Sequence, residues 1–231
     1  MKFVLNKKPK NPVIISGFPS IGLISTITTK FLTDHLEVED IGYIESENLV
    51  PLTAIHNSRI VHPITFYYNK KYNLLIIQSL TDVQGFEWDL ANTLLEVGRA
   101  VNAKELIVVE GIPNHVENEI NLYYFSSKSK YKLKPLTEGV VMGTTAALLL
   151  KAEDFPVTCI FAEAHSQLPD SEAAAKVVEA LDDHMNLKLD YRPLLEAAKK
   201  FEKNLKIMLE KKKENISNTT SQEKKELSYF G

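Results

Sequence analysis

Four short apolar runs rich in β-branched residues recur along the chain, and a segment with helical periodicity separates each run from the next. Continuous apolar runs are typical of strands covered on both faces, as in a mostly parallel sheet. Strands that alternate with helices indicate a three-layer α/β/α sandwich, with helices on both faces of the sheet. The predicted strands are residues 13–15, 74–77, 106–109 and 157–161, and the predicted helices are residues 20–34, 84–101, 144–152 and 170–185.

Local sequence signals refine this prediction. Ser20 is available as the N-cap of the first helix, and Asp170 is a natural N-cap for the fourth. Residues 52–68 fit a β-hairpin, with Asn57 and Ser58 near its turn. Because no repeat and no second core are evident, we expect a single α/β/α domain at residues 1–190.

The overall composition excludes several classes of protein. The chain has 231 residues, 44% of them hydrophobic, which is enough for a sizeable core. A formal net charge of -3 argues against a protein that coats nucleic acid. One cysteine, Cys159, makes no intrachain disulfide and no cysteine-based metal site, and no signal peptide or membrane span is evident. We therefore expect a cytoplasmic protein with no membrane, nucleic-acid, metal or cofactor partner.

The chain beyond residue 190 differs from the domain before it. Residues 191–213 predict a long C-terminal helix whose apolar positions alternate by four and three, like a coiled-coil seam. The seam spans only about two heptads, so the helix either packs on the chain's own domain or mediates self-association. Its positions are Leu194, Ala198, Phe201, Leu205 and Met208.

The last residues, 214–231, predict a flexible tail. Residues 214–228 are mostly polar and bury too little apolar surface to offset ordering, so we expect disorder. Two adjacent aromatic residues, Tyr229 and Phe230, nevertheless precede the last residue, Gly231. An aromatic pair and a carboxylate on a flexible tether suit a pocket on another protein. The alternative is a frayed terminus with accidental aromatics.

A glycine-containing segment, residues 17–22, lies where the first strand turns into the first helix. Such a junction is where α/β sheets bind phosphate. However, Leu23 follows Gly22, so the lysine and hydroxyl of a phosphate loop are missing, and the Rossmann glycine spacing is absent. The segment therefore predicts a turn that lets the helix approach the sheet, with anion binding as the alternative.

Acidic and imidazole side chains follow two of the predicted strands. Glu163, His165 and Asp170 come after the fourth strand, and Glu110 and His115 come after the third. Side chains beyond the carboxyl ends of strands commonly form sites in α/β sheets. The first group could bind a divalent metal or perform acid–base chemistry, but a polar loop whose aspartate caps the next helix is the favoured interpretation.

Two segments resemble motifs of the proteasome assembly chaperone two family. Residues 17–23, Gly-Phe-Pro-Ser-Ile-Gly-Leu, follow the first buried strand and resemble the family's GFPxxGL opening. Residues 168–175, Leu-Pro-Asp-Ser-Glu-Ala-Ala-Ala, lie between a strand and a helix and resemble its LPDSxAA segment. The similarity covers about residues 11 to 190. The family-motif positions are Gly17, Phe18, Pro19, Gly22, Pro169 and Asp170.

The resemblance implies a sandwich similar to nucleoside phosphorylases, without an identified active site. Archaeal members of the family include homo-oligomers proposed to help assemble, or dock on, the proteasome core particle. The expectation is therefore a non-enzymatic, homo-oligomeric chaperone or docking factor whose partners are proteasome α-subunits. The alternative is a small-ligand-binding or ATP-dependent ligase-like enzyme that uses the 17–22 turn and the cluster of Glu163, His165 and Asp170.

The resemblance also gives the tail a meaning. Proteins that bind the proteasome often end in a hydrophobic residue, a tyrosine and any residue. Such a tail inserts between neighbouring α-subunits, where a lysine meets the terminal carboxylate. Here Tyr229 takes the hydrophobic place, Phe230 the tyrosine place and Gly231 the last place. Because Phe230 lacks a hydroxyl, one hydrogen bond in the pocket would be missing.

Overall fold

The computed structural model describes residues 1–196 except 48, 50, 57, 82, 115–118, 129 and 166–167, and the side chain of His56. The strands are β1 (Lys2–Leu5), β2 (Val13–Gly17), β3 (Glu39–Glu45), β4 (Ala54–His56), β5 (Arg59–Val61), β6 (Ile64–Asn69), β7 (Leu74–Ser79), β8 (Glu105–Pro113), β9 (Leu122–Ser126), β10 (Lys134–Pro135) and β11 (Val157–Ala164). The helices are α1 (Ile24–His35), α2 (Glu87–Ala100), α3 (Gly143–Lys151) and α4 (Ser171–Met185).

Within this part of the chain, nine strands form one sheet in the order β1-β3-β6-β7-β2-β8-β11-β9-β10. Its four central strands, β7, β2, β8 and β11, are parallel, and they are the four strands that the apolar runs predicted. Every residue of β7 and β11 is buried, as continuous apolar strands require. On both sides the sheet continues in antiparallel pairings, β6 with β7 and β9 with β11.

Helices cover both faces of the sheet, which confirms the predicted α/β/α layers. Helices α1 and α4 pack together on one face, and α2 and α3 pack together on the other. Successive strand residues alternate between the two layers. Ile14, Leu106 and Cys159 lie in the core beneath α2 and α3, which we call the α2–α3 side. Ile15 and Ile107 lie in the core beneath α1 and α4, the α1–α4 side.

The predicted hairpin at residues 52–68 is divided in two. Strands β4 and β5 form a separate two-stranded hairpin with Ala54 opposite Val61. Strand β6 then leaves it and joins the large sheet between β3 and β7. Of the two predicted turn residues, Asn57 is outside the described residues and Ser58 has a positive φ of 58°.

The observed N-termini of α1 and α4 contradict one predicted N-cap and confirm the other. Ser20 does not cap α1, because a 3₁₀ turn at Ile21–Leu23 intervenes and α1 begins at Ile24. Asp170 does cap α4, since its Oδ1 accepts a hydrogen bond of 2.9 Å from the backbone N–H of Ala173. None of the helices in the described residues is long and apolar enough to span a bilayer.

The start of the C-terminal helix packs on the domain. Residues 192–196 are helical, and Leu194 lies in a small core with Phe31 of α1 and Val178 of α4. The first turn therefore contacts the chain's own domain. The rest of the predicted helix, residues 197–213, and the predicted tail, residues 214–231, lie outside the described residues.

Chain connections give the sheet a natural crevice. After β2 the chain continues through α1 and enters the sheet on one side, at β3, β6 and β7, whereas after β8 it enters on the other side, at β9 and β11. In α/β sheets, adjacent strands whose connections diverge leave a crevice beyond their carboxyl ends. In this protein the crevice lies where β2 ends at Gly17 and β8 passes Glu110.

Candidate functional site

The 17–22 turn packs tightly against both the first helix and β8. A Cβ atom on Gly17 would lie 2.5 Å from the carbonyl oxygen of Ser25, and one on Gly111 would lie 2.0 Å from that of Ile21. Ser20 Oγ accepts a hydrogen bond of 3.1 Å from the backbone N–H of Gly111. Ser25 Oγ donates to the carbonyl of Phe18. The polar groups of the turn thus bind the turn to its neighbours, which supports a structural role.

The two segments that carry the family resemblance contact each other. The backbone N–H of Asp170 donates a hydrogen bond of 2.8 Å to the carbonyl oxygen of Gly22. Gly22 has φ +67°, and a Cβ there would lie 3.0 Å from Cβ of Ala164 and 3.2 Å from Cβ of Asp170. A side chain at position 22 would therefore be both strained and crowded.

Asp170 is almost fully buried, at 7% exposure, and its carboxylate organises the loop before α4. Oδ1 caps α4 through Ala173, while Oδ2 accepts from the backbone N–H of His165 at 2.9 Å and pairs with His165 Nδ1 at 2.8 Å. Pro169 beside it is exposed. With three hydrogen bonds already accepted, Asp170 acts as a structural anchor.

Glu163 is separated from His165 and Asp170. Phe161 belongs to the α2–α3 side, and Ala162 and Ala164 to the α1–α4 side. Glu163 therefore points to the α2–α3 side, whereas Asp170 contacts the α1–α4 side near Ala164. The expected cluster of three is thus not formed. No group of three or more metal-binding side chains occurs among the described residues.

Glu163 and Glu110 instead line one cavity of about 730 Å³ on the α2–α3 side. In the parallel register of β8 and β11, Glu110 lies opposite Phe161 and Glu163 opposite Ile112, so the two acidic side chains are diagonal neighbours. Two of the side chains that follow the third and fourth predicted strands thus line one cavity. His115, which follows the third, lies outside the described residues. A second cavity of about 130 Å³, lined in part by Phe18 and Pro19, adjoins Glu110.

The surroundings of Glu110 favour its protonated form. Burial raises the pKa of Glu110 to about 7, and a hydrogen bond of 2.7 Å from Thr145 Oγ1 opposes the rise only in part. Thr145 is in the first turn of α3. A carboxyl whose pKa is near neutrality changes charge in the physiological range.

Glu163 is held by groups from β9 and its preceding residue. Its Oε2 accepts from the backbone N–H of Asn121 at 3.1 Å and from Asn121 Nδ2 at 2.9 Å, and Oε1 lies 3.5 Å from the hydroxyl of Tyr123. The side chain is only 5% exposed. These contacts fix the carboxylate at the cavity wall.

Sequence reasoning missed the loop that forms the outer wall of this cavity. Residues 136–143 connect β10 to α3, and they include Val140 and Met142, which are 92% and 78% exposed. Tyr123 and Thr145 were missed as well. Nothing in a single sequence places these residues beside Glu110, because their proximity arises from the order of strands in the sheet.

The predicted partner-binding residues Tyr229, Phe230 and Gly231 lie outside the described residues. Among the described residues, the candidate site therefore comprises the turn that joins the two motifs and the acidic cavity, which Ser20 and Ile21 of that turn help to line.

Comparison with known proteins places this architecture in a family. The chain is 29% identical over 223 residues to an uncharacterized protein of Methanocaldococcus jannaschii, with 91% of each chain covered. The crystal structure of Pyrococcus furiosus PbaA, described as an archaeal homolog of proteasome-assembly chaperone, superposes with a TM-score of 0.83 at 25% identity and covers 96% of both chains.

A second solved structure shares the fold. Pyrococcus furiosus PbaB, described as an archaeal proteasome activator, superposes with a TM-score of 0.75 at 20% identity and covers 90% of this chain and 98% of PbaB. The model of the PAC2 family matches residues 14–209. That span includes both motifs and most of the chain, so the resemblance expected from residues 17–23 and 168–175 is confirmed: the protein belongs to the PAC2 family.

Proposed function

We propose that this protein is a non-enzymatic partner of the proteasome core particle, which acts in the cytoplasm as an assembly chaperone or docking factor. The observation that carries the proposal is the likeness to Pyrococcus furiosus PbaA, which extends over 96% of both chains. Membership of the PAC2 family supports the same role. Polar groups of the 17–22 turn are hydrogen-bonded to neighbouring parts of the protein, which also favours a structural rather than a catalytic role for the motif.

In this proposal the tail makes the contact with proteasome α-subunits. Tyr229 and Phe230 would enter the groove between neighbouring α-subunits, and the carboxylate of Gly231 would pair with a lysine there. Burying two aromatic rings removes roughly 300 Å² from water, which contributes at most about 7 kcal/mol. A charge-assisted hydrogen bond adds about 1.5 to 3 kcal/mol.

Association and ordering of the tail oppose these gains. Lost translational freedom and tail ordering cost about 4 to 15 kcal/mol. A single tail should therefore bind weakly. Several tails presented by one homo-oligomer would raise the overall affinity by about a hundredfold or more through effective concentration. We accordingly propose a homo-oligomer, in which the residues after Leu194 project the tails.

The test is a titration of purified proteasome α-ring, read by native mass spectrometry. The intact protein should bind, and a version that ends at Ser228 should not. A third version with one residue added after Gly231 displaces the carboxylate and should bind more weakly. Equal binding by all three would place recognition on the folded body and overturn the role of the tail.

The oligomer is tested separately. Size-exclusion chromatography with light scattering should give a mass several times that of one chain, for the intact and the shortened protein alike. A monomer at all concentrations would contradict the homo-oligomer. Binding of neither form to the α-ring would contradict the function itself.

A further inference from the structure

The cavity between Glu110 and Glu163 has the size of a small-molecule site. Its volume is about 730 Å³, and binding sites for small organic ligands typically span about 300–1,000 Å³. It lies beyond the carboxyl ends of parallel strands, and Ser20 and Ile21 of the first family motif are among its lining residues. The proposed tail docking does not use it.

The charged side chains that line this cavity have one sign. Among the described lining residues, Glu110, Glu138 and Glu163 carry carboxyl groups, and none carries an ammonium, guanidinium or imidazole group. Lys134 does not line the cavity: its Nζ lies 3.4 Å from Oδ1 of Asn121, the residue that binds Glu163, and it forms no ion pair with Glu163. A phosphate or nucleotide would meet carboxylates without a compensating cation.

Among the described residues around the cavity, the positive end of α3 is the feature that would favour an anion, and Glu110 already lies there. Thr145 in the first turn of the helix donates to Glu110 Oε2 at 2.7 Å. The carboxyl of Glu110 is thus the acid that meets this helix end. A second anion would have to compete with it.

Glu163 has capacity for a further donor. Its Oε2 is saturated by two N–H groups of Asn121, but Oε1 has only the hydroxyl of Tyr123 at 3.5 Å, the outer limit of a hydrogen bond. This oxygen belongs to a side chain that is 5% exposed and lines the cavity. A buried carboxylate oxygen with a weak partner is a strong acceptor for a cationic N–H.

Much of the remaining lining is apolar. Ile112 and Phe161 line the sheet side of the cavity, and Leu136, Val140 and Met142 line the loop side. A ligand that fills this space therefore needs a ring or hydrocarbon chain as well as a donor group.

We propose that the Glu110–Glu163 cavity binds a small organic cation, an amine or amidine that carries an apolar ring or chain. The cationic nitrogen donates to Glu163 Oε1 and to the carboxylate of Glu110. The apolar part of the ligand packs between Phe161 and the 136–143 loop.

Three molecules of similar shape isolate the role of charge. They are 2-phenylethylamine, its uncharged analogue 2-phenylethanol, and the anion 3-phenylpropanoate. Each is titrated calorimetrically into the full-length protein at pH 8, above the pKa of about 7 of Glu110. The amine should bind at least about tenfold more tightly than the alcohol, and the anion should not bind, because one charge-assisted hydrogen bond changes affinity by about ten- to a hundredfold.

Matched variants locate the site. Glu163→Gln and Glu110→Gln keep the shape of each side chain and remove its charge, and each should weaken the amine by about tenfold or more. Glu96→Gln changes an exposed glutamate of α2 and should leave binding unchanged. Circular dichroism establishes that each variant is folded. If Glu163→Gln does not fold, Glu110→Gln alone tests the site, because its amide oxygen can still accept the hydrogen bond from Thr145.

Three results would overturn the proposal. The first is binding of the alcohol or the anion as tightly as the amine. The second is an affinity for the amine that is the same in wild type, Glu163→Gln and Glu110→Gln. The third is no heat of binding for the amine at millimolar concentration. None of them bears on the proteasome contact, because the α-ring titration tests a different part of the chain.

Discussion

The backbone N–H of Asp170 and the carbonyl oxygen of Gly22 lie 2.8 Å apart and form a hydrogen bond. The bond joins the turn after β2 to the start of α4, two segments far apart in sequence. Gly22 permits the contact through its positive φ, and Asp170 then fixes the loop after β11 by accepting from His165. The two motifs of the PAC2 family are thus halves of one structural joint.

Replacement of Asp170 should weaken this joint. In Asp170→Ala, α4 loses its N-cap and the backbone N–H of His165 loses its acceptor, so we expect a loss of about 2 to 4 kcal/mol of unfolding free energy. Urea denaturation measures it. Asp183→Ala, at an exposed position of the same helix, should change stability by less than about 0.5 kcal/mol. Equal effects of the two changes would argue against the anchor.

The contact between Gly111 and the turn leaves no space for a methyl group. In Gly111→Ala the new Cβ would lie 2.0 Å from the carbonyl oxygen of Ile21, so backbone must move, and we expect a loss of about 3 kcal/mol or more. The matched control is Gly139→Ala, where the nearest atom is a side-chain carbon of Leu136 at 3.7 Å. Thermal unfolding of both variants tests this, and a stable Gly111→Ala protein would contradict it.

Stability should depend on pH through Glu110. Burial raises its pKa from 4.5 to about 7 in the folded protein, so the folded state holds the proton more tightly than the unfolded chain. This contribution to stability is fully present below pH 4.5 and is lost as the pH rises through about 7, by at most about 3 kcal/mol.

Glu110→Gln removes that dependence. Relative to wild type, the variant should gain up to about 3 kcal/mol in unfolding free energy between pH 5 and pH 9, measured by urea denaturation at both values. Other titratable groups face Glu110 from its neighbours: Glu163 and Cys159 on β11, Glu138 in the 136–143 loop and Glu87 on α2. They remain in both proteins and largely cancel in the comparison. If the difference in unfolding free energy between Glu110→Gln and wild type were the same at pH 5 and pH 9, Glu110 would not be the group responsible.

The thiol of Cys159 should be inert in the folded protein. Burial, with a smaller effect of the neighbouring Glu110, raises its pKa to about 12, and the side chain is 0% exposed. At pH 8 only about one molecule in ten thousand carries the thiolate. A maleimide reagent should therefore label the native protein at least about a hundredfold more slowly than the protein in urea. Equal rates would show an accessible Cys159.

In the proposed docking, the tail differs at one atom from the ending expected from the resemblance. Phe230→Tyr supplies the missing hydroxyl, and a new hydrogen bond of about 0.5 to 1.5 kcal/mol should tighten binding to the α-ring by about two- to tenfold. Tyr229→Phe, which removes a hydroxyl at the neighbouring position, is the matched control and should change affinity less. Weaker binding of Phe230→Tyr would show that the pocket does not follow the pattern expected from the resemblance.

The fold was largely predictable because its central strands are buried on both faces. The runs at residues 13–15, 74–77, 106–109 and 157–161 became the parallel centre of the sheet, since only covered strands can be apolar at every position. Polar and apolar residues alternate only weakly along the edge strands. The sequence therefore carried no clear signal that β6 would pair with β3 and β7 instead of completing the predicted hairpin.

The site was less predictable, because neighbours in sequence lie on opposite sides of a strand. Glu163 and Asp170 follow the same apolar run, yet strand alternation turns Glu163 to one face and the loop carries Asp170 to the other. Ser20 resembled a helix cap, but its hydroxyl accepts from Gly111 of a distant strand. Tertiary contacts, rather than local preference, decided both outcomes.

The position of β2 at the centre of the sheet has a consequence for the order of folding. Val13 pairs with Leu74 on one side and with Glu105 on the other, so the first central strand to leave the ribosome has no partner until much more of the chain has been made. Pairings of such sequence separation form slowly, and an unpaired apolar strand is prone to aggregate in the meantime. During its own synthesis, a protein proposed to assist the assembly of others should itself pass through a stage in which a central apolar strand needs protection.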